Sequence, residues 1–395
     1  MPPRHRRRRE ASAQRSPYFV IAAAAVLVAA AGALVVAPAA SRVLDATSLA
    51  PAGPVGYVVC PNAVTPVELA TRTAEAPIPL PVVGTPVLGS FAIGTSADGR
   101  WAYVATTDGV AASAPGAPAG RGTAASGGVG NVLIPVDLVG QRALAPIPLP
   151  GQGGSHAVVV LPSGHLVLVA DGTGVVPVDP FTRAVGTPLD LGAGHAIFGM
   201  TLDPTGTIVY ALVPGGVVPV DTVHDVARPA ISTGLSVSSV DSPHGLAVSA
   251  DGATLYVAGQ GGADYGGRVL PVQTATGQPM PAAGFDRFGI ADPAALALDG
   301  DEVLVADAAN NWVNGVPLGS FTDPPAPVPL PAHPGRAAIT GTEHPTDIVA
   351  GPGRTGAFLV DGFDAVLPYD PTTSAFGKPI AVCSGASSMS VAPAP

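Results

Sequence analysis

Three observations predict an all-β chain folded as a seven-bladed β-propeller of four-stranded antiparallel blades, preceded by one hydrophobic helix. One proline-marked unit recurs seven times. A hairpin pattern stands ahead of most copies, and the array opens and closes on half a hairpin. Units of roughly 40 to 50 residues carrying four strands are the period of propeller blades.

The repeat is an apolar segment, then Pro, an aliphatic residue and usually an acid, followed by a second Pro opening a short apolar stretch. "VLIPVDLVGQRALAPIPLP" and "VVPVDPFTRAVGTPLDLG" are two of the copies. The first prolines are Pro66, Pro135, Pro177, Pro219, Pro271, Pro317 and Pro368; the second are Pro77, Pro146, Pro188, Pro229, Pro279, Pro327 and Pro379. These segments supply strands c and d of each blade. Upstream, stretches such as "FAIGTSADGRWAYVAT" and "HGLAVSADGATLYVAG" read as an apolar strand, a Gly turn and a second strand, supplying a and b. Asp98-Gly99 and Asp251-Gly252 mark tight hairpins because Gly accepts the positive φ such a turn requires.

The recurring "APIPLP" is a strand with Pro77, Pro79 and Pro81 at every second position, so all its missing donors lie on one side. Such a strand pairs on the other side only and belongs at the outer rim of a blade. Pro66 and its equivalents fall in strand c, an interior strand, which demands a gap in the ladder.

The ends of the array explain closure. "GYVVCPN" is a b strand with no a before it, and "SSMSVAPAP" is an a strand with no b after it. The C-terminal strand therefore completes blade 1. Strands alternate direction, so Cys60 at the end of b in blade 1 and Cys383 at the end of d in blade 7 meet on one face across the seam. In an oxidising compartment these two cysteines are expected to form a disulfide.

Composition agrees. The 395 residues include 50 Gly and 45 Pro, 47% are hydrophobic and only 12% are charged. That is turn-rich but too apolar for disorder. Residues 1–17 form a basic segment containing "RHRRRRE", 18–40 an uncharged apolar run, 41–54 a linker and 55–395 the propeller. The run is long enough to cross a bilayer as a helix with the arginines held in the cytoplasm. Ala37, Pro38 and Ala39 also supply the small residues of a signal-peptidase site. Two readings stand: a single-pass cell-membrane protein with its propeller outside, or a secreted propeller. Six of the 18 basic and one of the 28 acidic residues precede residue 41, leaving the rest with a net charge of −15. An acidic body is unsuited to gripping phosphate backbones, so no nucleic-acid partner is expected.

With those repeats in place, the chain resembles the YVTN repeat β-propellers of secreted and surface proteins of bacteria and archaea. "GLAVSADGATLYVAG" at 245–259, "YVVCPNAVTPVELATRTAEAPIPLP" at 57–81 and the recurring "VVPVD" carry the resemblance. It covers nearly all of 55–395 and implies a fold rather than an activity. Blade 6 departs from the pattern, since "NGVPLGS" lacks the acid, and blade 2 carries a long b–c insertion.

The sequence holds no Gly-x-Ser-x-Gly elbow, His-Glu-x-x-His, phosphate-binding Gly loop, EF-hand or haem-attachment motif. His156, His244, Asp292 and His344 each precede a hairpin Gly by eight or nine residues and are expected near the starts of strands a, which line the channel. Imidazoles and a carboxylate there suit a solvated polar ring, a metal or a proton shuttle. No catalytic residue and no cofactor is predicted, beyond a metal that this ring could hold. Segments 107–131, 259–267, 307–314 and 332–347 are long connections on the same mouth face, and Tyr265 and Trp312 are aromatic side chains within them. Long loops on one face of a rigid ring are the usual place of recognition. The expected role is a monomeric binding or scaffold module of the cell envelope, with an unknown envelope protein or small ligand on the mouth face. The alternative is a propeller enzyme, a lactonase-like hydrolase or cofactor-dependent oxidoreductase, using the His/Asp ring. Asp137, Asp179, Asp221 and Asp370, at the ends of strands c, are expected to cap the following turn.

Overall fold

The computed structural model describes residues 53–81, 91–108, 130–151, 157–172, 174–192, 196–236, 245–261, 266–284, 292–318, 321, 325–331, 344–353 and 356–393. The predicted N-terminal helix and the segments 1–17, 18–40 and most of 41–54 lie outside the described residues. Among the described residues no helix is long and apolar enough to cross a membrane.

Residues 49–395 form one compact unit of seven antiparallel sheets. In blade order, strands a are Ser388–Ala392, Phe91–Thr95, Val158–Val160, Gly199–Leu202, Leu246–Val248, Pro293–Asp299 and Asp347–Ala350. Strands b are Val55–Cys60, Trp101–Asp108, Val167–Asp171, Ile208–Val213, Thr254–Gly261, Glu302–Asp307 and Ala357–Val360. Strands c are Ala63–Glu68, Gly130–Asp137, Gly174–Asp179, Gly216–Asp221, Gly266–Gln273, Trp312–Pro317 and Ala365–Asp370. Each strand a touches its neighbours around the ring, and the C-terminal strand pairs with the first strand of the unit, Val55 opposite Ala392 and Val59 opposite Ser388. The ring is closed by the chain's own end, as the half-hairpins require.

Strand d is the element the sequence describes least well. In six blades it consists of two short pieces that both pair with strand c, for example Thr73–Ala74 and Ile78–Pro79 in blade 1. The break holds the gap demanded by the interior prolines. Val67 and Glu68 pair with Ala74 and Thr73, whereas Val64 and Ala63 pair with Ile78 and Pro79, so strand d carries one extra residue opposite Pro66. The carbonyl of Pro66 accepts the Glu75 amide at 2.8 Å, and those of Pro135, Pro177, Pro219, Pro271 and Pro368 accept the same bond from strand d at 2.7–2.8 Å. Because N and C=O of one strand residue point to the same side, the absent N–H of each proline faces the slip in register. A β-bulge is where an interior strand tolerates proline. Beyond it, the Leu80, Leu149 and Leu330 amides bond back to the Asn62, Asn131 and Asn311 carbonyls, leaving the proline side of the strand outermost.

Blade 6 corrects one equivalence. Tyr57, Tyr103, Tyr210 and Tyr256 face Pro66, Pro135, Pro219 and Pro271, but Leu304 at the same place faces Gly315, while Pro317 pairs with Glu302. Pro317 therefore occupies the position of the turn-capping acid, not that of the bulge proline. Elsewhere the acids behave as expected. Asp137 accepts the Gly140 amide, Asp179 those of Phe181 and Thr182, Asp221 those of Val223 and His224, and Asp370 that of Thr372.

The core sits between blades. Tyr103, fully buried, packs with Val167 and Val169 of blade 3, and Tyr256 packs with Leu296 and Val305 of blade 6. Tightness follows from the ring: a Cβ on Gly94 of strand a in blade 2 would lie 3.0 Å from the Val158 carbonyl of blade 3. Burial pushes the Tyr57 hydroxyl up to about 12 and the Tyr103 hydroxyl higher still, so neither ionises in the physiological range.

The turn carboxylates set an acid limit. Asp98, Asp221, Asp251 and Asp370 are held below the usual carboxylate range, chiefly by Ser96, Arg228, Ser249 and Thr372 respectively. A folded-state pKa below the unfolded value contributes stability above about pH 4 that is lost as pH falls through the folded value. The thermal midpoint is expected to hold from pH 7 to 5 and then fall steadily to pH 2.5; a flat profile would remove these caps from the account.

Candidate functional site

The mouth face is built from the b–c turns and the d–a connections, and the described part of it is organised by three buried aspartates. None of them was singled out from the sequence. Asp171, 5% exposed at the end of strand b in blade 3, accepts the Asn131 amide group of blade 2 and the Gly151 backbone amide. Asp307, 1% exposed at the same place in blade 6, accepts the Asp292 amide at 3.2 Å, the Ala309 amide at 2.9 Å and Asn310 Nδ2 at 2.8 Å. Burial pushes its carboxyl up, and the nearby Asp292 adds to this. Asp347, 0% exposed at the start of strand a in blade 7, accepts the Ile348 amide at 2.7 Å, the Met389 amide at 2.8 Å and the Ser388 hydroxyl at 3.1 Å. It ties blade 7 to the strand that closes blade 1. The available signal was an acid ending an apolar run, as in "LVLVAD" and "EVLVAD".

The disulfide lies on this face. Cys60 and Cys383 are bonded with their Cα atoms 6.0 Å apart, and the Thr65 hydroxyl donates to Cys383 Sγ at 3.0 Å.

Of the predicted ring, His156 and His244 lie outside the described residues, as does Tyr265. Asp292 directly precedes Pro293, which pairs with Asp307, and its carbonyl accepts the Ala308 amide at 3.0 Å. His344 stands three residues before Asp347, which pairs with Val360. Asp292 and His344 thus enter adjacent blades at different heights on their strands. The Nδ1 of His344 and the Oγ1 of Thr346 are buried with no hydrogen-bond partner among the described residues. The backbone around them is tightly fixed. The Thr346 amide donates to the Val360 carbonyl at 3.0 Å, and Asp361 accepts the amides of Phe363, Asp364 and Ala365. Gly362 sits at φ 73°, where a Cβ would fall 2.5 Å from the His344 carbonyl, so the turn requires glycine.

Trp312 pairs with Pro329, and its half-buried side chain packs on the apolar layer between blades 5 and 6 that includes Tyr256 and Val305. It is therefore a wall of the site as much as a contact for a ligand. Among the described residues no group of three His, Cys, Asp or Glu side chains is arranged to hold a metal ion. Along the channel, a cavity of about 250 Å³ is lined by strands a of blades 4 to 7, with Thr201 among otherwise apolar side chains such as Leu246, Leu296 and Ile348.

A second hollow, about 500 Å³, opens at the outer rim between blades 4 and 5, walled by Tyr210, Pro219, Arg228, Ile231, Thr274 and Gly277. Between blades 2 and 3 the corresponding space receives Arg183, whose guanidinium donates to the Ala145 and Pro146 carbonyls at 2.9 and 2.7 Å. Gly277 takes the place of that arginine, at φ 66° and with Ile231 3.3 Å from where its Cβ would lie. Replacing Gly277 by Ala is expected to cost about 1 kcal/mol, read as a fall of about 1–2 °C in Tm.

Comparison with known proteins adds the fold. No family model matches the chain, and no curated protein matches it. Solved structures do. The hydrazine synthase of Kuenenia stuttgartiensis aligns with a TM-score of 0.57 at 16% identity, over 78% of this chain and 90% of that one. The dihydro-heme d1 dehydrogenase NirN, in complex with DHE, aligns with a TM-score of 0.52 at 13% identity, over 83% of this chain and 63% of that one. The likeness shows the fold alone.

Proposed function

We propose that this chain is an exported propeller of the YVTN repeat kind, held to the cell envelope by its N-terminal apolar run, that binds a small ligand or an envelope protein on its mouth face without transforming it. The observation that carries this reading is a pair of buried atoms at the mouth of blade 7, His344 Nδ1 and Thr346 Oγ1, that have no hydrogen-bond partner among the described residues. A buried polar group without a partner costs about 1–3 kcal/mol, and a guest that bonds to it removes that cost. Both atoms sit on backbone fixed by Asp347, Asp361 and Gly362, so a guest meets a site that loses little freedom on binding. In the adjoining blade the turn from Asp307 to Trp312 is held by the Asp307 carboxylate, and Trp312 stands at its end with its side chain against the layer between blades 5 and 6.

The test is capture from cell-envelope extract on immobilised full-length protein. His344→Ala and Trp312→Ala are each expected to weaken retention of the captured species about tenfold. The thermal midpoint of His344→Ala should stay within about 3 °C of the parent. Retention unchanged in both variants would remove the mouth of blades 6 and 7 from the function.

A further inference from the structure

Five large apolar side chains are exposed among the described residues: Val139 (59%), Phe181 (53%), Val185 (37%), Val223 (67%) and Val226 (53%). All five lie on the c–d turns of blades 2, 3 and 4 or on the short strand that each turn opens into. Those blades are consecutive, so the side chains form one arc. Val139, Phe181 and Val223 hold the same position, two residues after the capping Asp137, Asp179 and Asp221. A scatter of surface apolar residues needs no explanation, but confinement to one arc of one face does.

Strand alternation fixes which face this is. Strands a and c run away from the mouth, so the a–b and c–d turns lie together on the opposite face. The chain joins the ring there, because Val55 at the start of strand b in blade 1 pairs with Ala392 at the end of a and with Glu68 at the end of c. In sequence, the uncharged run of residues 18–40 stands 14 residues ahead of Val55, a tether of at most about 50 Å. Arginines border the arc: Arg100 on the a–b turn of blade 2, Arg142 opening the short d strand of blade 2, Arg183 on the c–d turn of blade 3, and Arg228 just after the short d strand of blade 4. Exposed aliphatic and aromatic side chains flanked by arginine are the composition of surfaces that rest in the headgroup region of a bilayer. The capping acids among them are already committed to turn amides and, for Asp137 and Asp221, to Arg142 and Arg228.

We infer that the face opposite the mouth docks on the outer surface of the membrane, with Val139, Phe181 and Val223 seated at the boundary between headgroups and acyl chains. The mouth face is thereby presented away from the membrane. This rests on reading the N-terminal run as an anchor. It goes beyond that reading in giving the propeller a fixed orientation.

Tryptophan emission tests it, since Trp101 and Trp312 lie on opposite faces, Trp101 with its ring centroid 6.0 Å from that of Phe181. The full chain is reconstituted in phosphatidylcholine and phosphatidylglycerol vesicles, with or without lipid brominated near the glycerol end of the acyl chains. Phe181→Trp in a background of Trp101→Phe and Trp312→Phe is expected to lose about half its emission to the brominated lipid, as a side chain seated ~5–10 Å deep should. The Trp101→Phe variant, whose emission comes from Trp312, should lose none. Adding Val139→Asp and Val223→Asp to the first variant should abolish the quenching while the chain still sediments with the vesicles. Sedimentation with no quenching of Phe181→Trp overturns the docking and leaves the anchor standing, and quenching of Trp312 instead reverses the orientation. A chain that stays in the supernatant overturns the anchor itself, and the docking with it.

Discussion

Replacing Cys60 and Cys383 together by serine should lower the thermal midpoint of the propeller by roughly 3–7 °C, the equivalent of about 2–5 kcal/mol. The bond joins residues 323 apart in sequence. Chain entropy alone assigns so long a loop about 5–6 kcal/mol, an upper bound because the denatured chain is not a free coil. The location adds to the effect. Every pair of neighbouring blades, 7 and 1 included, is joined by a d–a connection. Strands a and b of blade 1, however, come from opposite ends of the propeller sequence and are held together by strand pairing rather than by a connecting turn, so that seam is where the ring opens first. Cys60 is buried in the layer between blades 7 and 1 with Val360, Val366 and Met389, and the serine hydroxyl must also be buried there. Reducing agent should bring the parent protein down to the midpoint of the double variant and leave that variant unmoved. Scanning calorimetry with and without reductant decides it, and equal midpoints throughout would mean that the seam does not limit stability.

Replacing Asp347 by alanine should cost about 3–5 kcal/mol, the largest effect expected from a single side chain here. The carboxylate is 0% exposed and receives the Ile348 and Met389 amides and the Ser388 hydroxyl. Alanine leaves all three donors buried without an acceptor and opens a small cavity between the innermost strands of blades 7 and 1. Asparagine keeps one acceptor oxygen but turns an NH₂ group toward donors, so it should recover only part of the loss. Denaturant unfolding of the three proteins measures this, and an alanine variant within about 1 kcal/mol of the parent would show that water satisfies the donors. Because Asp347 and the disulfide both keep the closing strand Ser388–Ala392 in place, their combined effect is expected to fall short of the sum.

The two seam contacts were not equally legible. Cys60 and Cys383 could be paired from strand counting, because alternation of direction places the ends of b and d on one face whatever the details of packing. Asp347 could not. Its role depends on Ser388 and Met389, 41 and 42 residues away, arriving beside it when the last strand completes the first blade. Asp171 and Asp307 share that origin, since an acid at the end of an apolar strand reads equally well as a solvated end. For the candidate site, His344 and Asp292 were found by their distance from hairpin glycines, a count that locates the start of strand a only to within a residue or two. The register then separated them, and it set Trp312 partly into the wall between blades 5 and 6.

The sequence by itself determined the number of blades, the order of strands within them and the way the ring closes. Those properties are periodic and local: apolar alternation, Gly turns such as Asp251-Gly252, and prolines on alternate residues of strand d each act within one hairpin and recur with it. Tertiary structure alone decided where strand d slips to accommodate Pro66 and its equivalents, that Gly315 rather than Pro317 holds that place in blade 6, and which acids are buried at the mouth. The physical reason is that these depend on hydrogen-bond donors and packing partners supplied by a neighbouring strand or blade. A missing N–H is tolerated only opposite a bulge, and a carboxylate becomes structural only when amides from elsewhere in the chain converge on it.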